Sequence, residues 1–86
     1  MANKIFETSV KEIKEEDIKI SEKIYIFEFE DDIESEDFEL YSHSEQLAEL
    51  GFKENTTPNT KSGKVVRYSI ECLDSFIIVI ETITEW

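Results

Sequence analysis

A chain of 86 residues is long enough for one domain, covering residues 1–86, and too short for a second. Hydrophobic residues make up 40% of the sequence and aromatic residues 12%, which excludes a disordered acidic chain and predicts an ordered fold. The formal net charge of −12, from 21 acidic and 9 basic residues, argues against direct binding to nucleic acid or to an anionic membrane, because both surfaces would repel the protein.

The first predicted element covers residues 3–17. Phe6, Val10 and Ile13 recur at spacings of four and three, which is the spacing of one face of a helix. We therefore predict a short amphipathic helix here, with a strand through Ile5 as the alternative.

The second predicted element is a strand over residues 24–29, where β-branched and aromatic residues follow one another. In an extended chain, Tyr25, Phe27 and Phe29 lie on the same face, because successive side chains point to opposite sides. This strand is expected to contribute an aromatic face to the core.

The segment that follows is rich in acidic and polar residues. Residues 30–37 are predicted as a turn or loop on the basis of this composition. Phe38 and Leu40 then alternate with acidic or polar residues, which predicts a second short strand.

A helix is predicted to begin near residue 42 and to run to Leu50. Ser42 or Ser44 would cap its start, since a serine hydroxyl accepts a hydrogen bond from the free N–H groups of the first turn. Leu47 would lie on the buried face together with Leu50, and Gly51 suits the position just after the last turn.

The last part of the chain predicts a loop and a hairpin. Residues 56–64 contain the only proline and one of the two glycines, and we expect them to form a mobile loop. Residues 65–73 and 76–84 are predicted as two strands joined at residues 74 and 75. The second of these strands is continuously apolar and is expected to be covered on both faces.

Together these elements predict an α+β fold, with a mainly antiparallel sheet of four or five strands and two short helices. The only cysteine, Cys72, excludes an intramolecular disulfide and is expected to be buried in a strand. No signal-peptide pattern is present, and no stretch approaches the ~20 apolar residues that span a bilayer. We therefore expect a cytoplasmic protein.

Charge is concentrated in one part of the sequence. Between Ile24 and Phe52 there is no lysine or arginine, and this window carries −10 of the total charge of −12. The ten acidic residues of the window are Glu28, Glu30, Asp31, Asp32, Glu34, Glu36, Asp37, Glu39, Glu45 and Glu49. Solubility alone does not require charge to be confined in this way, so the window is a candidate binding surface. A solvated acidic loop without a partner is the alternative.

Five of these carboxylates are spaced by two residues, from Glu28 to Glu36. In an extended chain they would lie on one face at intervals of about 6.6–6.8 Å. Phosphates along one DNA strand advance about 3.4 Å along the axis and are further apart through space, because the strand winds. A row of carboxylates with this spacing would roughly imitate a row of phosphates.

The composition does not favour a metal site or an enzyme. A calcium loop based on Asp31 or Asp32 fails at its required positions, and zinc needs about four ligands where the chain offers one histidine and one cysteine. His43 lies between Ser42 and Ser44, but successive side chains do not converge to form a nucleophile and its base. We predict no metal, no cofactor and no catalytic residues.

The predicted function is binding to a basic protein surface, with nucleic-acid-binding proteins as the expected partners. In size and charge, although not in any motif, the chain resembles small acidic phage-type antagonists of host nucleic-acid enzymes, such as anti-CRISPR proteins and DNA mimics. An immunity or antitoxin-like protein that neutralises a basic toxin, and a non-catalytic accessory domain, are the alternatives. The predicted partner-binding residues are Glu28, Glu30, Asp31, Asp32, Glu34, Glu36, Asp37, Glu39 and, as an aromatic anchor, Tyr41.

Overall fold

The chain forms a four-stranded antiparallel sheet with two short helices packed on one of its faces. A computed structural model describes residues 2–55 and 63–86. In chain order, the elements are β1 (Ala2–Glu15), β2 (Ile18–Phe29), α1 (Asp32–Glu39), α2 (His43–Leu50), β3 (Lys64–Leu73) and β4 (Phe76–Glu85). The strand order in the sheet is β1-β2-β4-β3, and all neighbours are antiparallel. The predicted α+β class, with a mainly antiparallel sheet and two short helices, is confirmed.

The first element is a strand and not a helix. The helix predicted over residues 3–17 is therefore wrong, and its alternative, a strand through Ile5, is correct. β1 pairs with β2 along its length, but Ile5 and Val10 are extra residues at two shifts of register, which are β-bulges. The bulge at Val10 lets Phe6 and Ile13 share one face although they are seven residues apart. Seven residues also make about two helical turns, so the bulged strand imitates the helical pattern.

The core lies between the sheet and the helices. The predicted strand over residues 24–29 is the end of the longer β2, and its aromatic face is buried as expected. The ring of Phe38, from α1, is only 1% exposed, and its centre lies 5.3 Å from that of Phe29. The buried cluster consists of Tyr25, Phe27, Phe29, Phe38, Ile77 and Val79.

The region after β2 is helical, so two predictions are wrong here: the loop over residues 30–37 and the short strand through Phe38 and Leu40. The side chain of Asp31 caps α1, its Oδ1 accepting a hydrogen bond from the backbone N–H of Glu34 at 2.8 Å. Acidic residues in the first turn favour this end of a helix because of its partial positive charge. An N-cap residue followed by acidic residues therefore indicates the start of a helix, although the composition of this segment is typical of a loop.

α2 agrees with the prediction. Ser42 is its N-cap, with Oγ accepting from the backbone N–H of Glu45 at 3.3 Å, and Leu47 is buried. The helix ends at Gly51, whose φ of 84° lies in the left-handed region that glycine adopts without strain. Phe52 then turns back, and its ring centre lies 4.9 Å from that of Tyr25. This contact fixes α2 on the sheet.

The predicted hairpin is confirmed as β3 and β4. Cys72, which was expected to be buried, is half-buried at the edge of the core. Burial, and then the charge of Glu39, raise the pKa of its thiol. Of the loop predicted over residues 56–64, residues 56–62 lie outside the described residues, and Lys64 begins β3. In the described part of the chain, neither helix is long and apolar enough to cross a membrane.

Candidate functional site

The ten carboxylates of the acidic window lie around the two helices. We call these ten residues, listed above from Glu28 to Glu49, the acidic surface. They come from the end of β2, the turn after it, α1 and α2. Ser35 anchors α1 to the turn between β3 and β4, since its Oγ donates a hydrogen bond to the backbone carbonyl of Asp74 at 2.6 Å. The acidic surface therefore sits at the end of the sheet where β2 ends.

The acidic surface does not form the evenly spaced row that an extended chain would give. Glu28 belongs to a strand, Glu30 to a turn, and the members from Asp32 onward to a helix. Alternate residues of a helix point about 200° apart, because each residue turns by about 100°. The predicted row of carboxylates on one face is therefore wrong, and any likeness to DNA lies in the amount of charge and not in its spacing.

The carboxylates of the acidic surface have few basic neighbours. Among residues 2–55 and 63–86, the ion pairs given by the structure join Lys4 and Lys23 to Glu7, Lys19 to Glu12, and His43 to Glu54. All of these pairs lie outside the acidic surface. Among its hydrogen bonds, Nδ2 of Asn3 donates to Glu30 at 3.3 Å. The negative charge is thus largely directed toward solvent.

Two large apolar side chains are exposed beside these carboxylates. Ile33 is 72% exposed and Leu40 is 84% exposed. Ile33 lies in α1 and Leu40 is the C-cap of this helix. Because they are seven residues apart, they lie on the same side of it, with Glu36 and Asp37 between them. Sequence reasoning missed both residues, because it treated the segment as a loop followed by a strand. Their spacing of two helical turns was the signal that would have found them.

A cleft of about 330 Å³ lies within the acidic surface. Its floor is apolar and its rim carries carboxylates and a tyrosine; the lining residues are Ala2, Phe29, Phe38 and Leu50 below, with Glu34, Asp37, Tyr41 and Glu49 around them. Tyr41, the predicted anchor, is 39% exposed and lies against Phe38, with 6.1 Å between the ring centres. A lysine or arginine side chain has the matching chemistry, an apolar stem ending in a cation.

A separate cluster of polar groups lies inside the sheet, away from the acidic surface. The carboxylate of Glu81 is buried and accepts hydrogen bonds from the hydroxyl of Tyr25 at 3.2 Å and from that of Tyr68 at 2.6 Å. Burial first, and the nearby Glu81 second, raise the pKa of both tyrosines. Sequence reasoning missed this cluster because its members come from three different strands. With its donors and acceptors satisfied by each other, it fixes the register of β2, β4 and β3.

The side chains that were considered for metal binding and catalysis lie as follows in the described residues. No three histidine, cysteine or acidic side chains in residues 2–55 and 63–86 are placed to hold a metal ion. His43 is exposed at the start of α2, as expected, with Nε2 3.4 Å from a carboxylate oxygen of Glu54. Ser42 is occupied as the helix cap.

Comparisons of the chain with protein-family models, with curated proteins and with solved structures find no match. No residue role is therefore transferred from a relative. The functional proposal rests on the chemistry of the acidic surface and its cleft.

Proposed function

We propose that this protein binds a basic surface of another protein through its acidic surface, and that it acts as an inhibitor or decoy by occupying that surface. The expected target is a protein that binds nucleic acid, since such proteins carry clustered lysine and arginine where the phosphates lie. A phage-type antagonist, such as an anti-CRISPR protein or a DNA mimic, would work in this way.

One observation carries the proposal: Glu34, Asp37 and Glu49 line a cleft within a window of ten acidic residues that contains no lysine or arginine. Repulsion among so many like charges costs stability, and an accessory domain gains nothing from it. A basic partner would offset this repulsion and would also be attracted from a distance, because complementary charge accelerates association.

The cleft and the exposed apolar residues supply the contacts that charge alone does not. A lysine or arginine side chain of the partner would place its stem against Ala2 and Leu50 and its cation near Asp37 and Glu49. Ile33 and Leu40, now exposed, would be removed from water in such a complex, which stabilises it by about 25 cal/mol per Å² of apolar surface. Such contacts would slow dissociation, whereas the carboxylates mainly accelerate association.

The proposal is tested by affinity capture followed by competition. The immobilised protein is incubated with a lysate of its native cell, bound proteins are identified, and duplex DNA or RNA is then added as a competitor. We expect a basic, nucleic-acid-binding protein that is released by nucleic acid, because both ligands need the same cations. Capture of a basic toxin with no affinity for nucleic acid would favour the immunity-protein alternative. A partner that binds nucleic acid and this protein together would contradict the decoy mechanism.

A further inference from the structure

The sheet has a second apolar face, opposite the one that carries the helices. We call this the open face. The two central strands place isoleucines there in pairs, Ile26 beside Ile78 and Ile24 beside Ile80. Phe6 of β1 extends the first of these rows and is 49% exposed. In an antiparallel sheet with one wet face, these positions are normally polar. Both faces of the sheet therefore carry apolar residues, whereas both helices pack on one face only.

The ends of the open face are also apolar. Phe76 and Leu73 lie side by side at the end near the acidic surface, and both are exposed. At the other end, Ile13 lies beside Ile20 and lines a hollow of about 720 Å³ at the turn between β1 and β2. Apolar residues therefore lie at both ends and in the middle of the open face, and one polar and charged row separates Ile13 and Ile20 from the isoleucine pairs.

We propose that the open face is covered by the open face of a second copy of this chain, giving a symmetric dimer in which two sheets pack face to face. The area of the open face supports this dimer. The β2–β4 and β4–β3 ladders each pair ten residues. Four strands about 4.8 Å apart, with ten residues at about 3.4 Å each, project to roughly 650 Å². Accessible surface exceeds its flat projection, so the open face matches the ~800 Å² per partner of a stable interface.

The charged residues of the open face also support a symmetric dimer. A two-fold interface brings a surface against itself, so it needs either neutral groups or charges of both signs. The open face has charges of both signs: Lys11, Glu22 and Arg67 lie in one row across it, and Glu28 and Glu71 lie beside the apolar residues nearer the helical end. The acidic surface, by contrast, contains acids only and would repel its own copy.

The positions of the acidic residues on α1 and α2 are also compatible with this dimer. Sheets that pack face to face lie about 10 Å apart, and α1 and α2 would stay on the outer side of each. The members of the two acidic surfaces that lie on α1 and α2 would then be separated by more than the Debye length of about 8 Å at physiological salt. The charge of −12 per chain therefore does not prevent this particular dimer. Glu28 faces the proposed interface, beside Phe76, but the rest of each acidic surface would remain open to partners, so the dimer and the proposed function are tested separately.

The test is the molar mass of the full chain in solution, measured by light scattering during gel filtration at about 100 μM, a concentration well above a micromolar Kd. We expect twice the monomer mass of 10.1 kDa. The double variant Phe6→Glu/Leu73→Glu, which changes two exposed residues of the open face, should be a folded monomer by circular dichroism. The matched control Ile33→Glu/Leu40→Glu changes two exposed residues of α1 and should remain a dimer.

A wild-type protein that is monomeric at this concentration overturns the proposal, as does a double variant that stays dimeric. If the double variant does not fold, nuclear Overhauser effects in a mixed sample of labelled and unlabelled wild-type chains decide the matter. Contacts between chains at the methyl groups of Ile24, Ile26, Ile78 and Ile80 support the dimer. Contacts between chains confined to the outer edge of β1, or none at these methyl groups, contradict it.

Discussion

The two ends of the molecule are both rich in acid but use it differently. In the β1–β2 hairpin, carboxylates form ion pairs with lysines: Glu7 contacts Lys4 of its own strand at 2.6 Å and Lys23 of β2 at 3.0 Å. Hydrogen bonds from these two lysines lower the pKa of Glu7. The window that forms α1 and α2 contains no lysine or arginine.

This difference separates charge that supports the fold from charge that opposes it. In α1, Asp32 and Glu36 are four residues apart, and like charges at this spacing destabilise a helix by roughly 0.2–0.5 kcal/mol. α1 is therefore held by its packing, through Phe38 and the bond from Ser35 to the backbone of Asp74, and not by its own surface. The basic partner of the proposed function would offset this cost.

The attachment of the helical end should depend mainly on one side chain. Because Phe38 is 1% exposed, Phe38→Ala should lower the free energy of unfolding by about 3–5 kcal/mol. The control, Leu40→Ala on the same helix, changes an 84% exposed residue and should have an effect within about 0.5 kcal/mol. Urea unfolding measures both. Equal losses would mean that α1 is not held by its buried face.

The buried carboxylate of Glu81 contrasts with the exposed carboxylates of the helical end. Tyr68→Phe removes a donor to Glu81 and should lower the free energy of unfolding by about 1–3 kcal/mol, since a buried acceptor loses its partner. Tyr41→Phe, at the exposed rim of the cleft, is the matched control and should have little effect. Equal values for the two variants would show that the hydrogen bond to Glu81 does not stabilise the sheet.

The same cluster should make the protein sensitive to alkali. Burial and Glu81 raise the pKa of Tyr25 and Tyr68 above the usual value of about 10, so the unfolded chain loses these protons before the folded chain does. The stabilisation is complete below pH about 10 and should fall as the pH rises above it. In Tyr68→Phe, this fall should be smaller. The prediction would be contradicted if the free energy of unfolding of the wild-type protein did not change between about pH 9 and about pH 11, on either side of the usual tyrosine pKa.

Removing charge should stabilise the helical end more than the hairpin. The acidic-surface variant is Glu36→Gln, Asp37→Asn, Glu39→Gln and Glu49→Gln, and the hairpin variant is Glu12→Gln, Glu15→Gln, Glu16→Gln and Asp17→Asn. Both remove four charges. We expect the acidic-surface variant to gain about 1 kcal/mol, from several like-charge pairs, and the hairpin variant to gain less because Glu12 contacts Lys19.

Salt offers a second measurement of the same effect. The melting temperature of the wild-type protein should rise with salt, as the Debye length falls to about 3 Å at 1 M, and it should rise less in the acidic-surface variant. A melting temperature that does not respond to salt in either protein would show that repulsion at the helical end is negligible.

The smallest expected effect is on Cys72. Its raised pKa and partial burial should make labelling by a thiol reagent slow in the native protein at neutral pH, since only the thiolate reacts. Because Glu39 contributes to this shift, Glu39→Gln should increase the rate slightly, whereas Glu12→Gln should not. Labelling as fast as in the denatured protein would contradict the placement of Cys72 beside the core.

The sequence predicted those elements whose signals are local. α2 has a serine cap and a terminal glycine, and the β3–β4 hairpin consists of two apolar runs separated by two residues, so both were found. β1 was missed because its two bulges break the alternation of a strand. α1 was missed because its acids resemble a loop, although Asp31 and the spacing of Ile33 and Leu40 carry a helical signal.

The candidate site was predicted in composition but not in shape. The acidic residues from Glu28 to Glu39 could be identified from the charge of the window alone. The cleft beside Tyr41 requires that Ala2 and Leu50 approach each other, and they are far apart in the sequence. The cluster around Glu81 forms only when β2, β4 and β3 pair in the register that the structure shows. Such contacts depend on tertiary structure, which no local pattern encodes.

The central claim is that the location of the acid, and not its amount, determines binding. The most direct measurement is the association rate of the captured partner with the wild-type protein, the acidic-surface variant and the hairpin variant at low and at physiological salt. Both variants have a net charge of −8, four units less negative than the −12 of the wild type. We predict that association slows several-fold for the acidic-surface variant, with a weaker salt dependence, and hardly changes for the hairpin variant. Equal association rates for the two variants would contradict the account and would make the acidic surface ordinary solvated surface.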